Sequence, residues 1–565
     1  MEPYAECLAH LGDADRSDYL AALQPGADVD HRGTPFTEEL MGELLDALTD
    51  PSTDMPRFGD ALFDRAEFSG DAHFDGSKIS GDVSLREAEV TGHVWFYGAE
   101  IGGDVWFDDA EVSGHAWFVN VKITGEAGFS RVEISGDALF YGAEVSGETH
   151  FVAMQVGGDA WFDGAKFRGD AWLSAVKFGG SASFAGTMFS ANAIFDSTVF
   201  EGRAQLGPLV CGGTLDVSEA VFHSAATIEA ATGDLRCRRT RWASAAALRL
   251  RHTALDLSDA VLEYPVSVAA RTRPFVVDGQ EMPEAGLPDF PARVVSMRGV
   301  DAAHLVLTDV DLTDCLFAGT IHLDQLRLEG RCLLATTPSG LRRRGMWPAR
   351  WTPRRTLAEE QHWRAAHGGD SNGWAPAPPG EAVLEPAALA PVYRQLRKAF
   401  EDGKDEPGAA DFYYGEMEMR RHDHSAPRAE RALLAAYWAV SGYGLRASRA
   451  LGWLLAAITA TVLAMMLWGL PKGDPQPEST GTVAGRSITL ITETPDPANP
   501  DAPYSKRLTT DRFEKSLRVV INSVVFRSGG QDLTTTGTYT EMVSRISEPV
   551  LLGLAILAVR GRVKR

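Results

Sequence analysis

Cysteine is scarce in this sequence, with five residues among 565. No two cysteines form a CxxC pair, and none has a histidine at the spacing of a zinc site. The pattern predicts neither a disulfide framework nor a metal site, and buried thiols in a reducing compartment are expected. The opening MEPYAECLAH lacks the basic and apolar regions of a secretory signal. The five are Cys7, Cys211, Cys237, Cys315 and Cys332.

Positive charge is also in short supply. The chain has 54 Lys and Arg against 77 Asp and Glu, for a net charge of −23. Residues 54–206 carry 24 acidic residues against 10 basic ones, whereas residues 340–365 have seven arginines against Glu359 and Glu360. Because proteins bind nucleic acid by neutralising phosphates, this composition argues against a nucleic-acid partner.

The motifs of common enzyme classes are missing. The sequence has no HExxH, no GxSxG and no phosphate-binding GxxxxGK pattern. GYGLRA at 442–447 partly matches GxGxxG, but it follows a helical pattern, whereas the dinucleotide fingerprint follows a strand. HDH at 422–424 has no third metal ligand in view. We therefore expect no enzyme activity, no catalytic residues, no cofactor and no bound metal.

Glycine, by contrast, is abundant and periodic. The chain has 56 glycines, and one column recurs every eleven residues over 70–202, broken only by Ala191. Two columns of bulky apolar residues share this period, over 63–206 and 68–200. A small or β-branched residue stands two positions before nearly every member of both. The unit is therefore five residues long, and every second unit is followed by one extra residue.

This spacing predicts a β-solenoid. Alternate residues of a short strand point to opposite sides, so the small and the bulky residue of each unit point inward together. Four units make one turn of 22 residues, and stacked turns bury a core that no single turn could bury. The regular glycine column suggests a corner at which the backbone needs a positive φ.

The units AEFSG and AHFDG, separated by Asp71, resemble the pentapeptide-repeat family. The resemblance implies a mainly β protein, a right-handed quadrilateral β-helix with four five-residue sides in each turn. It is strong over 58–206, the regular solenoid. It is weaker over 207–334, a degenerate solenoid with a loop insertion at 271–295, where VDLTDCLFAGTIHLDQLRLEG restores the pattern.

Positions 22 apart should lie above one another on the outside of the solenoid, at the ~4.8 Å spacing of neighbouring strands. One such column is aromatic, a second alternates in charge, which favours this register, and a third is acidic. Their members are His73, Trp95, Trp117, Leu139 and Trp161; Lys78, Glu100, Lys122, Glu144 and Lys166; and Asp82, Asp104, Glu126, Glu148 and Asp170.

The aromatic and acidic columns form the candidate binding surface, with Trp95, Trp117 and Trp161 as its aromatic members. The tryptophans either stack on one another or form a contact surface for a partner protein. The acidic residues either bind turn amides, bind cations along the edge, or mimic the phosphates of DNA. Some soluble members of the family mimic DNA and bind DNA gyrase, so the resemblance keeps that function open.

Segments outside the repeat are predicted to be a helical amino-terminal cap, a linker and a hairpin. In the cap, residues 1–57, Thr34 and Pro35 have the pattern of a helix start. Residues 335–390 are a basic and Pro-rich linker. Residues 391–448 form a juxtamembrane helical hairpin.

Residues 449–565 are predicted to form an α-helical transmembrane module. ALGWLLAAITATVLAMMLWGL has no charge over 21 residues, enough to cross the ~30 Å hydrocarbon layer. The second apolar run is shorter, so a second crossing must include Glu548 and needs a polar interior. The module comprises a first span at 450–470, an external loop at 471–512, a pore-helix-like segment at 513–527 and a second span at 543–562.

Basic residues flank both apolar runs, which favours two crossings with both termini in the cytoplasm. The segment PVYRQLRKAFEDGKDEPGAADFYYGEMEMRR at 391–421 resembles the connector between pentapeptide repeats and a two-span membrane module in bacterial proteins. Relatives of that module resemble the pore unit of two-span ion channels. The resemblance makes TTTGTY a filter remnant, although Gly537 has no second glycine two positions later. Its pore-like residues are Thr535, Thr536, Gly537, Thr538 and Tyr539.

We therefore predict a membrane-anchored pentapeptide-repeat protein that acts as a non-catalytic binding or scaffold module. It is expected at the bacterial plasma membrane, with the solenoid and both termini cytoplasmic. Membrane lipids and a protein of unknown identity are the expected partners, and a homo-oligomer through the membrane module stays open. The alternatives are an ion-channel-like protein regulated by the solenoid and a DNA-mimicking topoisomerase-binding protein.

Overall fold

The computed structural model describes residues 6–339, 342–344, 347–349, 351–368, 373–473, 476–484, 487–493, 495–522 and 532–563. The chain divides into two compact units, Met1–Phe412 and Tyr413–Arg565. The first unit contains a β-solenoid of about 13 turns, so the fold is predominantly β, and apolar helices follow in the second.

The solenoid has four faces of short parallel strands, and in its regular part each strand pairs with the strand 22 residues further along. Face 1 contains Pro35–Phe36, Glu67–Phe68, Glu89–Val90, Glu111–Val112, Glu133–Ile134, Gln155–Val156, Lys177–Phe178, Val199–Phe200, Val221–Phe222, Arg241–Trp242 and Val261–Leu262. Face 2 contains Ala72–His73, Val94–Trp95, Ala116–Trp117, Ala138–Leu139, Ala160–Trp161 and Ala182–Ser183. Face 3 contains Lys78–Ile79, Glu100–Ile101, Lys122–Ile123, Glu144–Val145, Lys166–Phe167 and Met188–Phe189. Face 4 contains Val83–Ser84, Val105–Trp106, Ala127–Gly128, Thr149–His150, Ala171–Trp172 and Ala193–Ile194.

The predicted 22-residue register is confirmed. Phe118 and Ile123 are 1% and 3% exposed, so both bulky columns point inward. The phenylalanine rings of successive turns stack, with 4.9 Å between the centroids of Phe118 and Phe140. On the outside, Glu100 lies between two lysines, 3.6 Å from Lys78 and 3.7 Å from Lys122. Stacked rings and paired charges in consecutive turns both require this register.

The explanation offered for the glycine column is wrong. These glycines do not have a positive φ. The left-handed residues lie two positions after each member of the first bulky column from Phe63 to Phe195, as at Gly98 and Asn120. The glycines are needed because the turns approach closely. A Cβ on Gly147 would lie 2.4 Å from the carbonyl oxygen of Gly125 in the preceding turn. Non-glycine residues such as Asn120 adopt the left-handed conformation at the other position, so that column is less regular in sequence.

The second part of the solenoid has shorter turns. Val221 pairs with Arg241, and Arg241 with Val261, so these two turns have 20 residues and have lost the extra residues. The insertion is not all loop: it contains a two-stranded hairpin, and its Phe275 and Met282 pack on the solenoid wall. The remaining strands are Ala204–Asp216, Ala226–Arg236, Ala246–Arg251, Ala254–Asp256, Val266–Ala270, Val276–Val277, Gln280–Glu281, Arg293–Ser296, Leu305–Thr308, Asp311–Leu312, Arg327–Glu329 and Leu333–Leu334, with 3-10 turns at Ala302–His304 and Leu323–Gln325.

The amino-terminal segment combines helices with strands that continue the solenoid. A 3-10 turn, Leu8–His10, precedes helices α1 (Asp13–Ala22) and α2 (Glu38–Leu48). Thr37, rather than Thr34, caps α2, because its hydroxyl accepts the Leu40 amide. Pro35 instead pairs with Glu67 on face 1. The other strands are Ala27–Asp30, Thr49–Asp50 and Met55–Leu62, and the first of them pairs in parallel with the third.

The predicted linker at 335–390 is partly folded onto the end of the solenoid. It contains a hairpin, Arg342–Arg344 with Trp347–Ala349, and helix α3 (Ala358–Gly368), and α4 (Pro386–Asp402) follows. On α3, Glu359 Oε1 accepts the backbone amides of Phe317 (2.5 Å) and Ala318 (3.0 Å) in the last turns. This carboxylate therefore satisfies amides that the end of the solenoid would leave unpaired.

A buried ion cluster joins the segment before α3 to α3 and α4, which together we call the carboxy-terminal cap. Glu360 is fully buried and binds Arg354 (Nη2 to Oε2, 2.7 Å), Arg364 (Nε to Oε1, 2.6 Å) and the hydroxyl of Tyr393 on α4. Burial alone would raise the pKa of Glu360, but the two guanidinium groups lower it to about 2. Two of the seven arginines in this basic segment are thus partners of a buried carboxylate.

The described part of the second unit consists of helices and one hairpin, Glu478–Ala484 with Ser487–Glu493. Helix α5 (Glu406–His422) crosses the boundary of the two units. It is followed by α6 (Arg428–Ser441), α7 (Ala447–Ala464) with a π-helical end (Met465–Gly469), α8 (Tyr504–Arg507), α9 (Thr510–Ile521) and α10 (Thr535–Val563). Two helical stretches are long and apolar enough to cross a membrane, Ala447–Gly469 and Thr535–Val559.

Candidate functional site

The aromatic column lies on face 2, where the parallel register places its members in one row. Trp95 pairs with His73 on one side and Trp117 on the other, and Leu139 pairs with Trp161. The His73 and Trp95 rings stack, with centroids 5.7 Å apart. Trp161 is 41% exposed, whereas Trp95 and Trp117 are half-buried against their neighbours. The tryptophans thus contact one another and also present a surface.

The surface is larger than the sequence analysis proposed. Tyr97 and Tyr141 lie on the adjoining corner and are 56% and 52% exposed. We call the combined surface the aromatic strip: His73, Trp95, Tyr97, Trp117, Leu139, Tyr141 and Trp161. The tyrosines are 44 residues apart, two turns, so the same 22-residue spacing could have identified them.

A second aromatic column on face 4 was also missed. It contains Trp106 and Trp172, separated by Gly128 and His150. A Cβ on Gly128 would lie 2.5 Å from the Trp106 ring, so this glycine makes room for the indole. The guanidinium of Arg86 lies 4.6 Å from the Trp106 ring centroid on its other side. Trp106 is half-buried between these groups and Trp172 is 37% exposed, so the strip on face 2 is the broader exposed aromatic surface.

The acidic column binds amides of the following turn. Asp82 Oδ1 accepts the Asp104 amide at 2.8 Å, and Asp104 Oδ1 accepts the Glu126 amide at 2.8 Å. Asp170 Oδ1 accepts the Asn192 amide at 2.9 Å. Glu126 and Glu148 are exposed. Among the residues that the structure describes, no group of three or more His, Cys, Asp or Glu side chains is placed to hold a metal ion.

Histidines perform the same role on another corner. His93 Nδ1 accepts the His115 amide at 2.9 Å, and His115 Nδ1 accepts the Asp137 amide at 2.8 Å. The two imidazoles stack with centroids 5.0 Å apart. In each ring the Nδ1 lone pair is the hydrogen-bond acceptor. These side chains therefore stabilise the stack of turns.

The five thiols are free, and Cys211, Cys237 and Cys315 are buried. Burial raises the pKa of Cys211 to about 11 and that of Cys237 well above its ordinary value. Thiols of this kind are inert packing groups.

The pore-like residues lie in a helix rather than in an extended loop. Thr535–Tyr539 form the first turns of α10, and the four side chains other than Gly537 are exposed. A Cβ on Gly537 would lie 2.4 Å from the Gly469 carbonyl oxygen, so Gly537 allows α10 to approach the end of the first candidate span. The pore-helix-like segment matches α9 up to Ile521, and its residues 523–527 lie outside the described residues.

A basic cluster also secures the end of that span. Arg512 donates to the carbonyl oxygens of Met466, Leu470 and Pro471, at 2.8–3.1 Å. Arg507 donates to Leu467 O at 2.7 Å. These guanidinium groups pair carbonyls that the helix end leaves free.

Comparison with known proteins agrees with the fold. The family model described as pentapeptide repeats matches residues 63–111, with nine copies. The β-solenoid thus contains pentapeptide repeats, and two candidate membrane-spanning helices follow it at the carboxy-terminal end. No curated protein and no solved structure matches the chain.

Proposed function

We propose that this chain is a membrane-anchored, non-catalytic binding module whose solenoid captures a protein partner at the inner face of the bacterial plasma membrane. The observation that carries the proposal is the aromatic strip. Tyr97, Tyr141 and Trp161 expose about half of their side chains on one face and its corner. Large aromatic side chains on a rigid surface bind partners at a low cost in conformational entropy.

Anchoring is supported by the two candidate spans. Both contain exposed apolar side chains, such as Leu455 on α7 (67%) and Ile546 on α10 (73%), which lipid would cover. Arginines before α7 and the basic carboxy-terminal end favour a topology with both termini and the solenoid in the cytoplasm.

Site-specific photo-crosslinking in membranes tests the binding proposal. A benzophenone side chain at Tyr141, on the strip, should capture a discrete partner, and excess purified unmodified chain should compete with it. The matched control is Tyr264, which is 52% exposed, like Tyr141, but lies outside the strip. Equal capture at both positions, or capture that does not saturate, would contradict specific binding of a partner at the aromatic strip.

An ion-channel-like oligomer is a second candidate, favoured by a groove on the spans. Thr535, Thr536, Tyr539 and Thr540 line an open groove of about 620 Å³ together with Thr461. Hydroxyl groups in hydrocarbon favour contact with a second copy of the chain or with water. Liposome flux by the assembled oligomer tests this function, and absence of flux removes it. DNA mimicry has less support, because several acidic-column carboxylates already accept amides.

A further inference from the structure

Glu548 is a carboxyl group between the two candidate spans. It lies in the middle of α10, and its side chain is fully buried against α7. One oxygen, Oε1, lies 2.8 Å from Thr461 Oγ1 on α7. The other, Oε2, is buried and has no hydrogen-bond partner.

The hydrogen bonds of Thr461 indicate where the proton is. Its Oγ1 lies 3.0 Å from Ala457 O and 2.8 Å from Glu548 Oε1. A hydroxyl has a single hydrogen, and the carbonyl of Ala457 has none to give. Both contacts are full hydrogen bonds only when Thr461 donates to Ala457 and a protonated Glu548 donates to Thr461.

Among the residues that the structure describes, none provides a counter-charge for Glu548. The sequence has no charged residue between Ala450 and Gly469 of the opposing helix. On α10 itself, Arg545 is 2.8 Å from Glu541 and forms a pair with it. On α9, Arg512 binds backbone carbonyls. On α6, Glu430 pairs with Arg420, and Arg431 bonds His424 Nδ1. No described cation forms an ion pair with Glu548.

We infer that Glu548 is a proton-binding site. A buried carboxylate without a counter-charge is strongly disfavoured, whereas the neutral acid satisfies Thr461 and leaves only one weak acceptor unpaired. The ligand is a proton, exchanged with water. Its loss places a charge between the helices, so proton binding and helix packing are linked. The inference rests on the proposed function in that the two helices lie in a membrane.

Infrared difference spectroscopy of the purified full-length chain in detergent tests the site directly. The spectrum of wild type minus Glu548→Gln at pH 7 should contain the C=O stretch of a neutral carboxylic acid. The matched control is Glu541→Gln, which removes an ion-paired glutamate of the same helix and should remove a carboxylate band. A carboxylate band for Glu548 would overturn the inference. The glutamine variant is a neutral isostere and should retain the native melting temperature.

Carbodiimide labelling provides a second measurement. Dicyclohexylcarbodiimide adds to neutral carboxyl groups in apolar surroundings, and peptide mass spectrometry locates the adduct. We expect at least about ten-fold more adduct on Glu548 than on Glu541, because an ordinary glutamate is almost entirely ionised at pH 7. In Thr461→Val the adduct should persist. Equal labelling of the two glutamates would contradict the site. Release of the chain from membranes by alkaline carbonate would instead refute the anchoring proposal, so the two failures are distinguishable.

Discussion

At the scale of single residues, two kinds of glycine in the solenoid have different physical tasks. Those of the eleven-residue column leave room for the backbone of the preceding turn, whereas glycines such as Gly164 adopt a left-handed backbone in open space. The first task strongly disfavours a side chain, and Ala191 is the single exception in the column, whereas the second only favours glycine. This explains why the first column is the regular one in the sequence.

The two tasks predict different costs for the same substitution. Gly147→Ala should destabilise the solenoid by about 3 kcal/mol, because the new Cβ would overlap backbone atoms of the preceding turn. Gly164→Ala should cost only about 1 kcal/mol, because nothing lies within 4 Å of its Cβ and only the positive φ is strained. Thermal unfolding of the full-length chain followed by circular dichroism measures both. Similar losses would mean that the turns can separate to accept a methyl group.

The buried Glu360 predicts a dependence on pH. Its pKa is lowered to about 2 in the folded chain, from an ordinary value of 4.5, so its ion pairs stabilise above pH 4.5 and lose this effect as the pH falls towards 2. Glu360→Gln should cost about 3 kcal/mol at neutral pH, since it leaves Arg354 and Arg364 without their counter-charge.

The difference in unfolding free energy between Glu360→Gln and the wild type isolates the titration of Glu360 from that of all other acidic residues. This difference should shrink as the pH falls from 4.5 towards 2, because the protonated wild-type side chain then resembles glutamine. Chemical denaturation at a series of pH values gives the difference. A constant difference from pH 6 to pH 2 would contradict the assignment of the window to Glu360.

At the scale of elements, the register of the regular strands could be predicted because every turn repeats the same local pattern. Phe118 and Ile123 were placed in the core from their period alone, and the column from Lys78 to Lys166 fixed which turns are neighbours. The carboxy-terminal cap could not be predicted in this way. Arg354, Glu360 and Tyr393 meet through contacts that do not repeat, and their composition alone resembles a solvated linker.

In the candidate site, too, repeating features could be predicted from the sequence and single contacts could not. The 22-residue spacing predicts that Trp95, Trp117 and Trp161 share one row, and they do; Tyr97 and Tyr141 obey the same spacing. The predicted filter remnant at 535–539 rested on a short motif without periodicity, and the segment is helical. Contacts that repeat are visible in a sequence, whereas a single packing event between two helices is not.

The amide-binding columns also yield a prediction. His115→Ala should destabilise the solenoid by about 1 kcal/mol, because the Asp137 amide loses its acceptor. His115→Asp should retain most of the stability, since aspartates such as Asp137 accept the amide of the next turn at equivalent positions. Chemical denaturation compares the three chains. A larger loss in the aspartate variant than in the alanine variant would show that imidazole stacking outweighs the amide bond.

At the scale of the whole molecule, the chain joins a rigid solenoid to helices that expose apolar side chains. Glu359 accepts amides at the carboxy-terminal end of the solenoid, within the first unit. The described residues of the second unit leave Leu455 of α7 and Ile546 of α10 largely exposed. A membrane covers these side chains if the two candidate spans cross it.

Charge substitutions on equally exposed leucines test this arrangement. Leu455→Arg, on a candidate span, should reduce membrane insertion by about 3 kcal/mol, the cost of an arginine near the middle of a spanning helix. Leu433→Arg, on α6 outside the candidate spans, is the matched control, because Leu433 is 71% exposed against 67% for Leu455 and should tolerate the charge. Extraction of membranes with alkaline carbonate measures the fraction that stays inserted. If both variants and the wild type are released into the supernatant, α7 and α10 are covered by protein rather than lipid, and the anchoring proposal is wrong.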